Sequence, residues 1–291
     1  MGESQPTAAA ETHRGATPAA TGAADLFRVT DPIVVRQPIS GDVNGVRAAI
    51  EDRVADAGDP APPGALLPDA DVATCSVFLE TGDRTTGDDG GATLTWYLEV
   101  PDASEGWRSP AARLLECSPV FDEPEVRAAL DHGNATVHRP EEALVHARLP
   151  QRPGVPAPVA VVLVRVGFRP GLPSLAMRGI DRLVRALRGT WFEERMAGDS
   201  REVLEAERMW TETLWLVESG DDGAGAGLLW YMEAEEMAQV MEAYEDSETF
   251  VARASAWLLD RVLTTPLSTL GDPSEAGTFE LLVHLTDPER G

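Results

Sequence analysis

Hydrophobic and polar positions along the chain predict the same series of elements twice. In the first half, short apolar runs rich in β-branched residues predict four strands: 33–39, 74–81, 93–100 and 143–149. Apolar residues at helical spacing predict one helix that is capped by Ser40 or Asp42, and a second helical region at 106–131, broken at Pro119 and Pro124. The resulting order is strand, helix, strand, strand, helix, strand.

The second half predicts the same order. Its four apolar runs are 159–168, 211–219, 227–233 and 279–285. Apolar stripes predict a long helix at 175–191 and further helices at 237–262, and Asp199 followed by Glu202 resembles a capping box. The acidic segment at 221–223 is predicted to be a solvated hairpin loop.

Individual residues also recur between the two halves. Glu80 and His146 recur as Glu218 and His284, both at an offset of 138 residues, and Trp96 recurs as Trp230 at an offset of 134. A match in the same order at a nearly constant offset indicates an internal duplication. The predicted divisions are a disordered tail, a first repeat, a Pro-rich linker and a second repeat: 1–30, 31–150, 151–158 and 159–291.

The order of elements predicts an α+β protein made of two tandem ferredoxin-like βαββαβ repeats. Right-handed crossovers would place the strands of each repeat in the spatial order 4-1-3-2, with helices on one face. The other face of each antiparallel sheet would be bare. We therefore expect the two bare faces to pack together as a pseudo-dimeric α/β barrel, either monomeric or weakly associated into homo-oligomers.

The balance of acidic and basic residues indicates the cellular environment of the protein and the kinds of partner it can bind. There are 49 acidic residues against 24 basic ones, a formal charge of -25, and no Lys at all. Such a charge destabilises a compact chain unless salt screens it, and at molar salt the Debye length is about 3 Å. The composition predicts a cytoplasmic protein of a salt-accumulating halophile, although an acidic mesophilic protein is the alternative. Neither nucleic acid nor a membrane surface is an expected partner.

Several kinds of site are not indicated by the sequence. Cys75 and Cys117 do not recur and have no metal-ligand spacing, so both are predicted to be buried apolar residues and no metal site is expected. No GxGxxG, GxxxxGK[ST] or GxSxG motif occurs, so no cofactor is predicted. No apolar run is long enough for a membrane span, and the first 25 residues do not resemble a secretory signal.

Polar residues that recur on predicted strands are the candidate site residues. Charged groups on central strands are costly beneath helices, so they are expected to line the interface between the sheets. Successive side chains alternate between the two faces of a strand, which places Tyr and Glu together on each third strand. The candidates from both repeats are Arg36, Arg165, Glu80, Glu218, Tyr97, Tyr231, Glu99, Glu233, His146 and His284.

Two contacts across the barrel are predicted among them: His146 near Glu218, and His284 near Glu80. A His beside a carboxylate can act as a general base, and an Arg on a central strand could hold an anionic group of a small ligand. Three interpretations stay open: mutual pairing that only fixes the register of the sheets, a binding or catalytic pocket, and haem ligation by a His. His13, His132 and His138 do not recur and are expected in loops or the tail.

The second repeat resembles an uncharacterised haloarchaeal family of single-domain proteins. The residues that carry the resemblance are the strand at 228–234, the acidic hairpin at 221–223 before it, and the ending at 279–290. The match spans about 159–291, and the first repeat follows it more loosely, with a Pro-rich loop in place of the long first helix.

The resemblance implies a dimeric α/β-barrel, ferredoxin-like fold, with this chain equivalent to a fused homodimer. Its wider fold class includes monooxygenases of antibiotic biosynthesis, haem-binding proteins similar to chlorite dismutase, and stress proteins, so the fold does not choose a reaction. The two functions that we expect are a non-catalytic or ligand-binding module and a cofactor-independent monooxygenase-like oxidoreductase.

Overall fold

The structure is a computed structural model, which describes part of the chain. The described residues are 30–58, 61–68, 70–81, 91–149, 160–169, 179, 182, 201–206, 208–217, 226–240, 261–264 and 279–287. Most of the helices predicted at 175–191 and 237–262 lie outside these residues, as do the hairpin loop at 221–223 and the predicted tail and linker.

The described part of the first half contains five strands. The elements in chain order are β1 (Asp31–Ile39), α1 (Val43–Ala57), β2 (Thr74–Glu80), β3 (Ala92–Val100), α2 (Ala103–Gly106), α3 (Pro110–Cys117), α4 (Pro124–Ala129), β4 (Thr136–His138) and β5 (Ala143–Arg148). Of the two predicted caps, Asp42 is the one that caps α1, because its side chain accepts a hydrogen bond from the Asn44 amide at 3.0 Å. The predicted break at Pro119 is a 3-10 turn at Pro119–Asp122, and the short strand β4 was not predicted.

The described part of the second half contains four strands. They are β6 (Ala160–Gly167), β7 (Met209–Val217), β8 (Gly227–Ala234) and β9 (Phe279–Thr286). Each lies within two residues of its predicted bounds. Residues 201–206 are helical, in the region where Asp199 and Glu202 predict a helix start. No helix among the described residues is long and apolar enough to cross a membrane.

The strands form two antiparallel sheets. The five-stranded sheet has the order β4-β1-β3-β2-β9, and the four-stranded sheet has the order β5-β7-β8-β6. The chain is therefore an α+β protein with two antiparallel sheets, as predicted. The predicted order of four strands within each repeat is wrong, because the last strand of each repeat has left its own sheet.

The two last strands are exchanged between the sheets. β5 pairs with β7 of the second half, and β9 pairs with β2 of the first half. In the predicted order, β2 and β7 would be open edges, which are prone to pair with other chains. The exchange covers both edges. The place beside β1 that was predicted for β5 is taken by β4.

Buried apolar residues form three groups around the sheets. One group lies on the outer face of the five-stranded sheet and contains Trp96, and the second lies on the outer face of the other sheet and contains Trp230. Both indoles thus face away from the interface between the sheets. The third group lies between the sheets and includes Tyr97, Tyr231 and Trp215. Cys75 and Cys117 are buried, also as predicted.

One carboxylate on the outer face of β7 has a strongly shifted pKa. Glu212 is half-buried and lies opposite Met232 in the β7–β8 register. Burial raises the pKa of Glu212 to about 7. The folded state thus holds this proton more tightly than the unfolded state does. The free energy of unfolding therefore falls as pH rises from about 4.5 to about 7.

Replacing Glu212 with Gln should remove this pH dependence. At pH 8 the variant is expected to be more stable than the native chain by about 2 kcal/mol, whereas at pH 4 the two should differ little, because Glu212 is then protonated in both states. Urea unfolding at the two pH values, at constant high salt, measures the difference. The exposed Glu51→Gln on α1 is the matched control, and an equal gain for both variants would contradict the assignment.

Candidate functional site

Two tyrosines occupy the centre of the interface between the sheets. Tyr97 on β3 and Tyr231 on β8 stack with their ring centroids 3.3 Å apart and their planes 10° from parallel. Both rings are fully buried. Each phenolic hydroxyl donates a hydrogen bond to the Glu two residues further along its own strand, Glu99 or Glu233. The Tyr and Glu pairs predicted from strand alternation do share the inner faces.

The first polar cluster surrounds Glu99. Its members, here called the Glu99 cluster, are Thr30, Thr74, Tyr97, Glu99, His146, Arg148 and Thr213. The Tyr97 hydroxyl donates to Glu99 Oε1 at 2.9 Å and lies 3.1 Å from Thr213 Oγ1. His146 Nδ1 lies 2.9 Å from the same Thr213 oxygen. A hydrogen-bonded chain thus joins a His on β5 to a carboxylate on β3.

The Glu99 cluster is closed to solvent. Arg148 NH1 lies 3.6 Å from Glu99 Oε2, and the exposures of the two side chains are 4% and 0%. Thr30 and Thr74 each donate to the same carboxylate oxygen at 3.3 Å. The Thr30 oxygen is also 3.3 Å from His146 Nε2. Both nitrogens of the His146 ring are therefore engaged inside the cluster.

The second polar cluster repeats the chain around Glu233. Its members, here called the Glu233 cluster, are Ser76, Tyr231, Glu233 and His284. The Tyr231 hydroxyl donates to Glu233 Oε1 at 2.6 Å and lies 2.9 Å from Ser76 Oγ, and His284 Nδ1 lies 2.8 Å from Ser76 Oγ. Because the last strands are exchanged, His146 lies beside Thr213 of the second half, and His284 lies beside Ser76 of the first half.

The two clusters differ in how they are covered. His146 is 7% exposed, whereas His284 is half-buried. The register places Arg148 opposite Thr211 and Thr286 opposite Thr74, so Thr286 occupies the position on β9 that Arg148 occupies on β5. Position 286 thus carries a neutral hydroxyl where position 148 carries a cation.

The number of hydrogens available on each group fixes which group donates in every hydrogen bond of the Glu233 cluster. The single hydrogen of Tyr231 is donated to Glu233, so Ser76 must donate to the Tyr231 oxygen. The Ser76 hydrogen is then used, so the His284 ring must donate from Nδ1 to Ser76. In neutral His284 the Nδ1–H tautomer is therefore fixed, and Nε2 is the ring atom that can accept a proton.

Burial and nearby carboxylates keep both phenols protonated. Burial raises the pKa of Tyr97 well above its usual value, and the charges of Glu99 and Glu233 raise it further. Burial likewise raises the pKa of Tyr231, with added contributions from Glu233 and Tyr97. At ordinary pH both hydroxyls are thus donors to carboxylates.

Arginines lie on the same inner faces, towards the other end of the interface between the sheets. Arg36 on β1 forms an ion pair with Glu80 on β2, across β3. The buried His138 on β4 lies opposite Val34, and burial together with the charges of Arg36 and Arg165 lowers the pKa of His138 to about 4. The expectation that His138 lies in a loop is wrong, because the unpredicted strand β4 places it opposite Val34 at the interface between the sheets.

The predicted contact between His284 and Glu80 is also wrong. In the β2–β9 register His284 is opposite Ser76, and Glu80 is opposite Phe279. Ser76 and Glu80 are four residues apart, about 13 Å along a strand. Glu80 pairs with Arg36 instead. The predicted partner of His146, Glu218, lies outside the described residues, and His146 is opposite Thr213.

Several residues of the clusters were not predicted. Arg148 follows His146 by two residues and shares its face, which is the signal that could have identified it. The second strands carry hydroxyls at alternate positions, Thr74 with Ser76 and Thr211 with Thr213, a recurrence that also marks one face. Among the described residues, no group of three or more His, Cys, Asp or Glu could hold a metal ion.

Comparison with known proteins gives distant structural likenesses. No family model and no curated protein matches the chain. A solved structure from Fusobacterium nucleatum, described as a "Putative monooxygenase", is 8% identical with a TM-score of 0.45, over 90% of this chain and 96% of that one. An "anthrone oxidase-like protein" is 12% identical with a TM-score of 0.38, over 90% of this chain and 95% of that one.

Proposed function

We propose that the protein is a cofactor-independent oxidoreductase, and that the Glu233 cluster is its reaction site. The observation that carries the proposal is the directed chain from His284 through Ser76 and Tyr231 to Glu233. The proton-accepting atom of the half-buried His284 ring, Nε2, is itself buried, and a buried carboxylate stands at the other end of the hydrogen-bonded chain. The substrate would be a small organic molecule with a weakly acidic C–H group.

The first step would be removal of that proton by His284. The imidazolium formed would keep its Nδ1–H hydrogen bond to Ser76. The hydrogen bonds from His284 to the Glu233 carboxylate would become stronger as positive charge develops on the ring. Ser76 and Tyr231 act here as positioning residues, because they fix the tautomer and orientation of the ring. The proton acceptor that touches the substrate is His284 alone.

The carbanion would then react with dioxygen, which is the oxidant. For an activated methylene group, one molecule of substrate and one of dioxygen give one molecule of the corresponding ketone and one of water. One oxygen atom enters the carbonyl, and the other leaves as water with the two hydrogens of the methylene carbon. His284 takes the first proton and returns it to the leaving oxygen, so the protein is unchanged after one turnover.

A second candidate is a non-catalytic ligand-binding protein, favoured by the Glu99 cluster. That cluster has the same chain but is closed by Arg148 and Thr30, and all its members are buried or fully hydrogen-bonded. Polar groups arranged in this way fix the register of the two sheets and catalyse no reaction. If the Glu233 cluster has the same structural role, the protein would bind a ligand without converting it.

Dioxygen uptake with His284→Gln and His146→Gln separates the two candidates. With anthrone, an activated methylene compound, as the probe in molar KCl, His284→Gln is expected to lower the enzymatic rate by about 10²–10⁴-fold. His146→Gln alters the corresponding residue of the closed cluster and should retain most of the rate. Thermal unfolding of both variants controls for loss of fold. An equal loss in both variants, or no uptake above the uncatalysed rate, would contradict the oxidoreductase proposal.

A further inference from the structure

The stacked tyrosines are held in an arrangement that ring–ring attraction alone does not favour. Two phenol rings prefer offset or edge-to-face contact, whereas Tyr97 and Tyr231 are nearly parallel at a centroid distance of 3.3 Å. The hydrogen bonds of the two hydroxyls, to Glu99 and Glu233, fix the rings in place. The centre of the barrel therefore holds two electron-rich rings in direct face-to-face contact.

Each ring has a built-in proton acceptor. A phenol that loses an electron becomes strongly acidic, and the neutral radical forms only if the proton can leave at the same time. The Tyr97 and Tyr231 hydroxyls already donate to carboxylates at 2.9 and 2.6 Å. Both carboxylates are fully buried, so solvent does not compete for the proton. The pair can thus lose one electron without leaving a buried positive charge.

A third oxidisable ring lies between the stacked tyrosines and the edge of the interface between the sheets. Trp215 on β7 makes an edge-to-face contact with Tyr97 at a centroid distance of 6.1 Å. Its indole N–H donates to the carbonyl oxygen of the partly exposed Arg139 at 3.3 Å. Successive aromatic rings at these separations can pass an electron between the stacked pair and a reactant at the turn between β4 and β5.

We propose that Tyr97 and Tyr231 form a one-electron redox site that reduces organic peroxyl radicals. One phenol gives an electron to the peroxyl radical and its proton to the adjacent carboxylate. The reduced peroxide takes a proton from solvent. The balance is Tyr–OH + Glu–COO⁻ + ROO• + H⁺ → Tyr–O• + Glu–COOH + ROOH, and an external reductant of the thiol class returns the electron.

This site shares Tyr231 and Glu233 with the reaction proposed at His284, but its test uses no methylene substrate, so the two proposals can fail separately. The full chain is prepared with ring-deuterated tyrosine and exposed to a water-soluble azo initiator that releases peroxyl radicals in air. Samples frozen during the exposure are measured by electron paramagnetic resonance. The expected result is a protein radical whose spectrum narrows on deuteration of tyrosine. A spectrum that deuteration leaves unchanged would overturn the proposal.

The chain offers a matched control, because it has only three tyrosines and the third is Tyr244. Tyr244→Phe should leave the radical signal intact, whereas the double variant Tyr97→Phe/Tyr231→Phe should lose most of it. If the double variant does not fold, peptide mapping of the oxidised native chain decides instead. Oxidation products should lie in the peptides that contain Tyr97 and Tyr231. Products confined to Tyr244 or to tryptophans would overturn the proposal.

Discussion

Replacing Arg148 with Met is expected to destabilise the protein by about 3–5 kcal/mol, because the change leaves the Glu99 carboxylate without its buried counter-charge. Arg148 NH1 and Glu99 Oε2 are 3.6 Å apart, and the two side chains are 4% and 0% exposed. Water cannot replace the lost cation at this depth. Urea unfolding at neutral pH and constant salt measures the change in the free energy of unfolding.

The double variant Glu99→Gln/Arg148→Met is the control that isolates the charge. With both charges removed, much of the stability should return, so the two substitutions should be strongly non-additive. Thr286→Ala changes the position on β9 that corresponds to Arg148 on β5, where the native side chain is neutral, and should cost far less. A loss below about 1 kcal/mol for Arg148→Met would show that the pair contributes no more than a surface ion pair.

Much of the fold could be predicted from the sequence because it depends on local and periodic signals. Apolar alternation placed the nine-residue strand β3 and the eight-residue strand β8 within one residue of their bounds. The same alternation put Trp96 and Trp230 on outer faces and Tyr97 with Glu99 on an inner face. Helix capping at Asp42 depends only on the next few residues.

The exchange of the last strands could not be predicted from the same signals. The side chains of β9 alternate identically whether it pairs with β6 of its own repeat or with β2 of the other. Main-chain hydrogen bonds carry no sequence information that would choose between the two edges. The wrong contact between His284 and Glu80 has the same origin, since the register of an exchanged strand is set by packing across both halves.

The contacts of Thr30 and Arg148 with Glu99, which bury the Glu99 cluster, could not be predicted from the sequence either. Thr30 precedes β1, and Arg148 ends β5, more than a hundred residues later, yet both contact Glu99 on β3. Each is an ordinary residue in its own local sequence. Their meeting depends on strand exchange, so it could be derived only once the sheet order was known.

The pairing of β9 with β2 predicts that a disulfide can be engineered between these two strands. Cys75 on β2 and Leu285 on β9 are Cα partners in the register, and both are buried on the outer face. Directly opposed residues in an antiparallel pair have Cα atoms about 4.5–5.5 Å apart, which suits a disulfide. The variant Leu285→Cys should therefore cross-link to Cys75. The disulfide would close a loop of about 210 residues and stabilise the fold by up to about 5 kcal/mol.

The cross-link should be formed during refolding, because burial raises the pKa of the Cys75 thiol and makes it unreactive in the folded protein. Cys117→Ala is added to remove the other native thiol. Val283→Cys, two residues earlier on the same face of β9, is the matched control. It is opposite Val77 and therefore diagonal to Cys75, at a Cα separation of about 7–8 Å, which is too long for an unstrained disulfide.

The most direct test of the strand exchange is the mass-spectrometric detection of that disulfide after refolding in a glutathione buffer. The pairing of β9 with β2 predicts near-complete linkage of the peptides around positions 75 and 285 in Leu285→Cys, with little linkage in Val283→Cys. A Leu285→Cys chain that folds cooperatively with both thiols still free would contradict the pairing of β9 with β2.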